Sequence, residues 1–248
     1  MAEEHNAEWE KKLRGIIADG DAKRTAKAVK QLEAAGAEVV IQFYHPAEPF
    51  GCFSNFSNHS FHLNGRRWPT SEHYFQAMKF EQSHADFMAV AKAPKPGDAA
   101  RMGRDRSRPL RKDWEEVKDQ IMYDACLAKF QQNPEICMTL LRTESATLVE
   151  HTFKDSYWGD GGDGTGKNML GHVLMVVRRK IVEQKLAGAK NLHETPSDRP
   201  PQATPAVSGT APEDTEETPP PPAKTDDTNE GVPPPPQAPP KKKHRLQH

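Results

Sequence analysis

The sequence predicts an α+β fold: a single, predominantly α-helical domain with a few short strands, followed by a disordered proline-rich tail. Three observations lead there. Fifteen of the 22 prolines lie at or after Pro196, and large apolar residues are scarce from Leu186 onward. Such a segment buries too little apolar surface to offset its chain entropy, so residues 186–248 are expected to be disordered with polyproline II character. Residues 38–185 remain as the compact part, enough for one core, with residues 1–37 as a helical extension ahead of it. Within 38–185, stretches of helical periodicity outweigh the short β-branched runs.

In chain order, residues 7–36 have partial helical spacing (Leu13, Ile16, Ile17, Ala28, Val29, Leu32), interrupted near Asp19-Gly20-Asp21. The extension either packs on the domain or hangs loosely from it. Glu38–Tyr44 is a β-branched run and reads as a strand. Phe61–Leu63, Asn64-Gly65 and Arg66–Trp68 read as a hairpin, because Asn-Gly supplies the two positive-φ residues of a type I′ turn. A helix follows from Thr70. Ala85–Ala93 reads as helix, Pro94–Gly97 as a break, and Asp98–Arg104 as another short helix. Lys112–Gln132 is amphipathic through Trp114, Val117, Ile121, Met122, Ala125, Leu127 and Phe130. Asn133-Pro134 opens a helix to Leu141. Thr147–His151 reads as a short strand, Asp155–Asn168 as a glycine-rich loop, and a buried helix runs from Asn168 to about Lys185.

Composition excludes several classes. A net charge of −1 gives no global attraction to nucleic acid or anionic membrane. No apolar run reaches the roughly 18 residues a membrane helix needs. Met1–His5 lacks the basic start and apolar core of a signal peptide. Cys52, Cys126 and Cys137 show no CxxC spacing, which argues against a disulfide framework or a zinc site. An intracellular setting, cytoplasmic or nuclear, is the expectation. Lys241–Arg245 reads as a nuclear signal or a solubilising end. Pro219–Pro222 and Pro233–Pro236 allow SH3- or WW-type recognition and serve equally as spacers.

Chemistry concentrates in Trp68–Phe80. Thr70 or Ser71 is a good N-cap. Glu72, Gln76 and Lys79 sit at i, i+4 and i+7, within about 20° of one helical face. Glu72 and Lys79 are then roughly 10 Å apart along the axis. They are placed to line opposite ends of a pocket, or merely to form a solvated face. Tyr74, Ala77 and Met78 suit a core. The loop Asp155–Asn168 offers backbone N–H groups that can approach a phosphate. Its partial match to GxxxxGK is read as chance, since Asn168 stands where a hydroxyl belongs and no apolar strand precedes it. Its aspartates lack the alternation of a calcium loop. His73 and His172 are read as structural, and no metal site is expected.

These stretches together resemble the NADAR (YbiA-like) family. The residues that carry the likeness are Phe43-Tyr44, Glu48–Phe56, Trp68–Phe80, Gly103-Arg104, Trp114 and Trp158–Gly171, in that order, over about Ile41 to Ile181. The resemblance implies an N-glycosidase that needs no cofactor. Family members are linked to riboflavin-pathway intermediates or to removal of ADP-ribose from guanine in DNA. By motif it makes Glu72 and Asp155 catalytic and puts Trp114 in the pocket. It matches Lys79 to a lysine that forms a Schiff base with ribose. Met78, where Gln is common, is a departure on the core face.

Cleavage of a ribosyl C1–N bond develops oxocarbenium character and negative charge on the departing nitrogen. A carboxylate such as Glu72 serves as acid, base or cation stabiliser, and a lysine of lowered pKa attacks the opened sugar. Trp114 and Trp158 offer flat faces. Phe50, Asn55 and Phe56 in the aromatic loop are further candidate substrate contacts. Amides around Gly159 and Gly161, Asn168, and the guanidinium groups of Arg66 or Arg104 are expected to hold a diphosphate, with Gln76 as a positioning group. The expected substrate is ADP-ribosylated guanine in DNA. The alternatives are a riboflavin-intermediate N-glycosidase and a non-catalytic ADP-ribose-binding module.

Overall fold

The computed structural model describes residues 2–193. The chain runs α1 (Ala2–Ala18), α2 (Ala22–Ala34), β1 (Val40–Phe43), β2 (Phe61–Leu63), β3 (Arg66–Trp68), α3 (Ser71–Ala77), α4 (Ala85–Ala91), α5 (Pro96–Gly103), α6 (Trp114–Gln132), α7 (Pro134–Leu141), β4 (Thr147–Glu150) and α8 (Met169–His193), with a 3-10 turn at Gly51–Phe53. The mainly helical α+β architecture agrees with the sequence. The final helix runs past Lys185 to His193, so residues 186–193 are helical rather than the start of a disordered tail. The proline-rich remainder, with its proline runs and basic end, lies outside the described residues.

Local signals explain most boundaries. The Thr70 side chain accepts the N–H of His73 and caps α3. Asn64 and Gly65 both take positive φ, 52° and 71°, as the hairpin turn requires. Pro96, read as part of a break, instead opens α5 at a position where its missing N–H is harmless.

The two sheets are each two-stranded. β2 and β3 form the antiparallel hairpin. β1 and β4 pair in parallel, with Ile41 opposite Leu148 and Phe43 opposite Glu150. Helices α3 to α7 intervene in sequence between these two strands, as a parallel pairing demands a long crossover. Leu148 and Ile41 face the core, which continues through Phe53, Phe130, Leu174 and Val177. The extension is not loose: Leu13, Ile17, Ala28, Val29 and Leu32 belong to this same core. Among the described residues no helix is long and apolar enough to cross a membrane.

Candidate active site

Helix α3 is the floor of the site, and it differs from the expected amphipathic helix. Residues Ser71 to Met78 are all buried, so it has no solvated face. It is also only seven residues long. Lys79 therefore lies beyond its C-terminus rather than on the same helical stripe as Glu72, and the i, i+7 geometry does not apply. Its ammonium donates to the Gly103 carbonyl at 3.2 Å, at the end of α5.

Glu72 is 6% exposed. Burial pushes its carboxyl above the usual range and the Asp155 charge adds to this, while the Gln76 hydrogen bond, Arg104 and Lys79 oppose the shift. Gln76 Nε2 donates to Glu72 Oε1 at 2.9 Å, and Gln76 Oε1 has no partner among the described residues. Lys79 is pushed down to about 8, chiefly by burial and then by Arg104 and Arg106, against the pull of Glu72 and Glu115. An amine lowered this way is still mostly protonated near physiological pH, but a larger fraction is neutral and nucleophilic than in an ordinary lysine.

Aromatic rings pack around the lysine. Trp114, the first residue of α6, and Trp158 both set an edge against Phe75, at 5.0 and 5.1 Å between centroids. The Lys79 ammonium lies 5.6 Å from the rings of both Phe75 and Trp114. Outside them opens a groove of about 490 Å³ lined by Lys79, Arg104, Arg106, Trp114 and Glu115. A second groove of about 540 Å³, lined by Phe56, Ala100, Arg101 and Arg104, meets it at Arg104. The Asp155 charge also acts on Glu72. One of its oxygens accepts the amides of Tyr157 and Trp158, both at 2.8 Å, which fixes the turn that presents Trp158. Glu72, Gln76, Lys79, Arg104, Trp114, Asp155 and Trp158 are thus brought together, with Phe56 on the rim.

The remaining candidates have other jobs. Asn55 holds α3 in place: its side-chain oxygen accepts Ser71 Oγ at 3.0 Å, and its backbone carbonyl accepts the Glu72 amide at 3.1 Å. Phe50 is buried against Phe53 with a left-handed φ of 58° and lines a separate cavity of about 560 Å³ between α1 and β1. Arg66, on the hairpin, lies over the rings of Trp68 and of Phe87 in α4, and it lines neither groove. Asn168 ties β4 to the loop, accepting the Glu150 amide and donating to the Leu148 carbonyl. Gly159 has no Cβ because Thr152 and the Glu150 carbonyl would lie within 2.9 Å of one.

Most amides of the expected phosphate cradle are taken up inside the loop. The amides of Gly161, Gly166, Lys167 and Asn168 bond to the carbonyls of Asp155, Asp160, Ser156 and Gly159, and those of Met169 and Leu170 at the start of α8 bond to Tyr157 and Trp158. Asp160 Oδ1 takes the Gly162 amide. The glycines, Gly161 among them with φ of 74°, let this loop fold on itself. The cations that line the groove beside Lys79 are Arg104, Arg106 and Arg108. His73 is structural as expected, with its ring nitrogens on Thr70 Oγ1 and the Ala93 carbonyl.

Sequence reasoning missed Glu150, the last residue of β4. Burial pushes its carboxyl up to about 8, and Asp155, Glu72 and Asp160 add to the shift. Only its place at the end of a predicted strand could have drawn attention to it.

The chain covers nearly the whole length of several relatives. It is 49% identical to N-glycosidase YbiA of Escherichia coli (strain K12) over 149 residues, 60% of this chain and 92% of that protein. It is 45% identical to N-glycosidase Npun_R5314 of Nostoc punctiforme over 58% of this chain and 93% of that protein. It is 40% identical to 40% of the longer riboflavin biosynthesis protein VVA0006 of Vibrio vulnificus. The NMR structure of E. coli YbiA superposes with a TM-score of 0.57 at 50% identity, covering 60% of this chain and 88% of that one. The NADAR domain matches residues 42–182, which hold every group assembled around Glu72 and Lys79, and the chain belongs to the NADAR family.

Proposed function

We propose that this protein is an N-glycosidase that releases ADP-ribose from guanine in DNA. The observation that carries the reading is the pairing of a buried Glu72 with Lys79 held near a pKa of about 8, under aromatic walls and beside Arg104 and Arg106. Relatives that the chain covers almost end to end are named N-glycosidases, which supports cleavage of a C–N glycosyl bond.

The chemistry follows from the charges. Opening of the ribose exposes C1 as an iminium still joined to the guanine nitrogen. The neutral Lys79 amine adds to C1, the guanine amine departs with its electron pair and a proton, and a lysine imine remains. Water then adds to that imine, Glu72 takes its proton, and the sugar leaves as the free aldehyde in equilibrium with its ring form. Arg104 and Arg106 suit the diphosphate, and Trp114 and Trp158 offer faces to the base or the cationic sugar.

The test is release of ADP-ribose from a guanine-ADP-ribosylated oligonucleotide. Wild type releases it, Glu72→Gln and Lys79→Ala do not, and borohydride traps the sugar on wild type but not on Lys79→Ala. A second reading is favoured by the name of the Vibrio relative: hydrolysis of a phosphorylated aminopyrimidine riboside of riboflavin biosynthesis. Turnover of that substrate with none on the oligonucleotide selects it. Binding of ADP-ribose with no turnover of either selects a non-catalytic module.

A further inference from the structure

Helices α1 and α2 lie ahead of residues 42–182, the span of the NADAR match. Their inner face belongs to the core, through Leu13, Ile17, Ala28, Val29 and Leu32. A groove of about 400 Å³ runs along the seam between the two helices. From α1 it is lined by Trp9, Lys12, Leu13 and Ile16, which recur at i, i+3, i+4 and i+7 and so share one helical face. From α2 it is lined by Arg24 and Lys27, one turn apart, and none of its lining residues is an acid.

The floor is apolar and the rim is cationic. Leu13 is buried, while Trp9 and Ile16 pack on the edge of the core and stay half-buried. Lys12, Arg24 and Lys27 are exposed. Arg24 lies 3.8 Å from Asp19, in an exposed pair that neutralises it poorly. Among the described residues Lys12 and Lys27 have no carboxylate within ion-pair distance. Glu10 of α1 is turned to Arg14, and Asp21 caps the Arg24 amide. The whole chain carries a net charge of −1, so this one-signed rim is a local feature. A concave apolar stripe two helical turns long, edged by cations, complements an amphipathic helix with acids beside its apolar face. A flat bilayer does not reach the floor of a groove. A nucleic-acid strand needs stacking rings, and the groove has one, Trp9.

We propose that the α1–α2 seam docks an acidic amphipathic helix of a protein partner. Apolar side chains of that helix, one per turn, enter along Trp9, Leu13 and Ile16. Its Asp or Glu side chains meet Lys12, Arg24 and Lys27 at the rim. Leu13 ties the floor to the core, so the surface is held ready before the partner arrives. No residue of the seam lines the grooves beside Lys79, and the docking is independent of the bond cut there.

The test is fluorescence anisotropy of the full chain with a labelled helical peptide of about 15 residues. The peptide carries Leu along one face and Glu on either side of it; a second peptide has Lys in place of every Glu. Wild type binds the Glu peptide saturably and the Lys peptide at least about tenfold more weakly. Lys12→Glu combined with Lys27→Glu reverses that preference, and Trp9→Ala weakens the Glu peptide by about tenfold. Both lysines are exposed, and circular dichroism checks that the variants fold. If the charge reversal does not fold, Lys12→Gln with Lys27→Gln decides: a lost preference supports the proposal and a retained one overturns it. No saturation by the Glu peptide below about 1 mM overturns it. So does saturable binding that the lysine variants leave unchanged. Phosphatidylserine vesicles or a single-stranded oligonucleotide bound through the same lysines, with no binding of the peptide, overturn it in favour of a membrane or a nucleic acid.

Discussion

Glu72, Lys79 and Glu150 are perturbed in directions that can be read out as stability. Glu150 has an ordinary value of 4.5 and sits at about 8 in the fold. Between these values the folded protein holds more protons than the unfolded chain, so stability falls as pH rises through that window. Glu150→Gln removes the loss. Urea denaturation is expected to find the variant more stable than wild type at pH 7 by on the order of 3 kcal/mol, with no difference at pH 4. Lys79 runs the other way. It falls from 10.5 to about 8, so the unfolded chain holds the extra proton and stability recovers as pH rises through that window. Glu72, Asp155, Trp114 and Lys79 could be singled out before any coordinates because residue type and motif sufficed. Glu150 could not. Its inward direction exists only once β4 is paired with β1, and the charges that bear on it come from α3 and from the loop that follows β4.

The elements act by holding one another. Gly103 closes α5 against α3, and a Cβ there would lie 2.0 Å from Gln76 Oε1. Gly103→Ala is expected to push Gln76 off Glu72. The fold should survive, while kcat drops by about tenfold or more through loss of one positioned hydrogen bond. Unchanged kcat would remove Gln76 from its positioning role. Lys129 on α6 is fully buried, and its ammonium donates to the Ser54 carbonyl and Ser57 Oγ at 2.9 and 2.7 Å. It pins the loop whose Asn55 holds the start of α3. Lys129→Met removes the ammonium from both, leaving the Ser54 carbonyl with only the Ser57 amide and Ser57 Oγ with only its bond to the Cys52 carbonyl, and a loss of about 1–3 kcal/mol is expected in denaturant melts. At this scale the sequence was informative wherever a local signal decides the backbone. Thr70 caps α3, Asn64-Gly65 makes the hairpin, and Asn133-Pro134 starts α7. It misled where tertiary contacts decide. Helix α3 stops at Ala77, which takes Lys79 off the helix, and the glycine loop spends its amides on itself.

For the whole molecule, the helical pair α1–α2 is part of the core although the NADAR match begins only at residue 42. Leu13, Ile17, Val29 and Leu32 are each buried, and burial of each such side chain stabilises by about 1.5–3 kcal/mol. Deleting residues 1–36 is therefore expected to lower Tm sharply or to give insoluble protein; an unchanged Tm would show the pair to be dispensable. The class of the fold was legible because its helices are long, capped by a side chain or opened by a proline. The parallel pairing of β1 with β4 was not, since the two strands lie on opposite sides of five helices in sequence and neither carries a signal naming its partner. That pairing sets Glu150 opposite Phe43. The central claim is that the groups around Glu72 and Lys79 cut an N-glycosidic bond. The most direct measurement is release of ADP-ribose from a guanine-ADP-ribosylated oligonucleotide by wild type and by Glu72→Gln. Release by wild type, with a loss of about 10²–10⁴-fold in the variant, is the expected result. Equal release by both proteins would contradict the account.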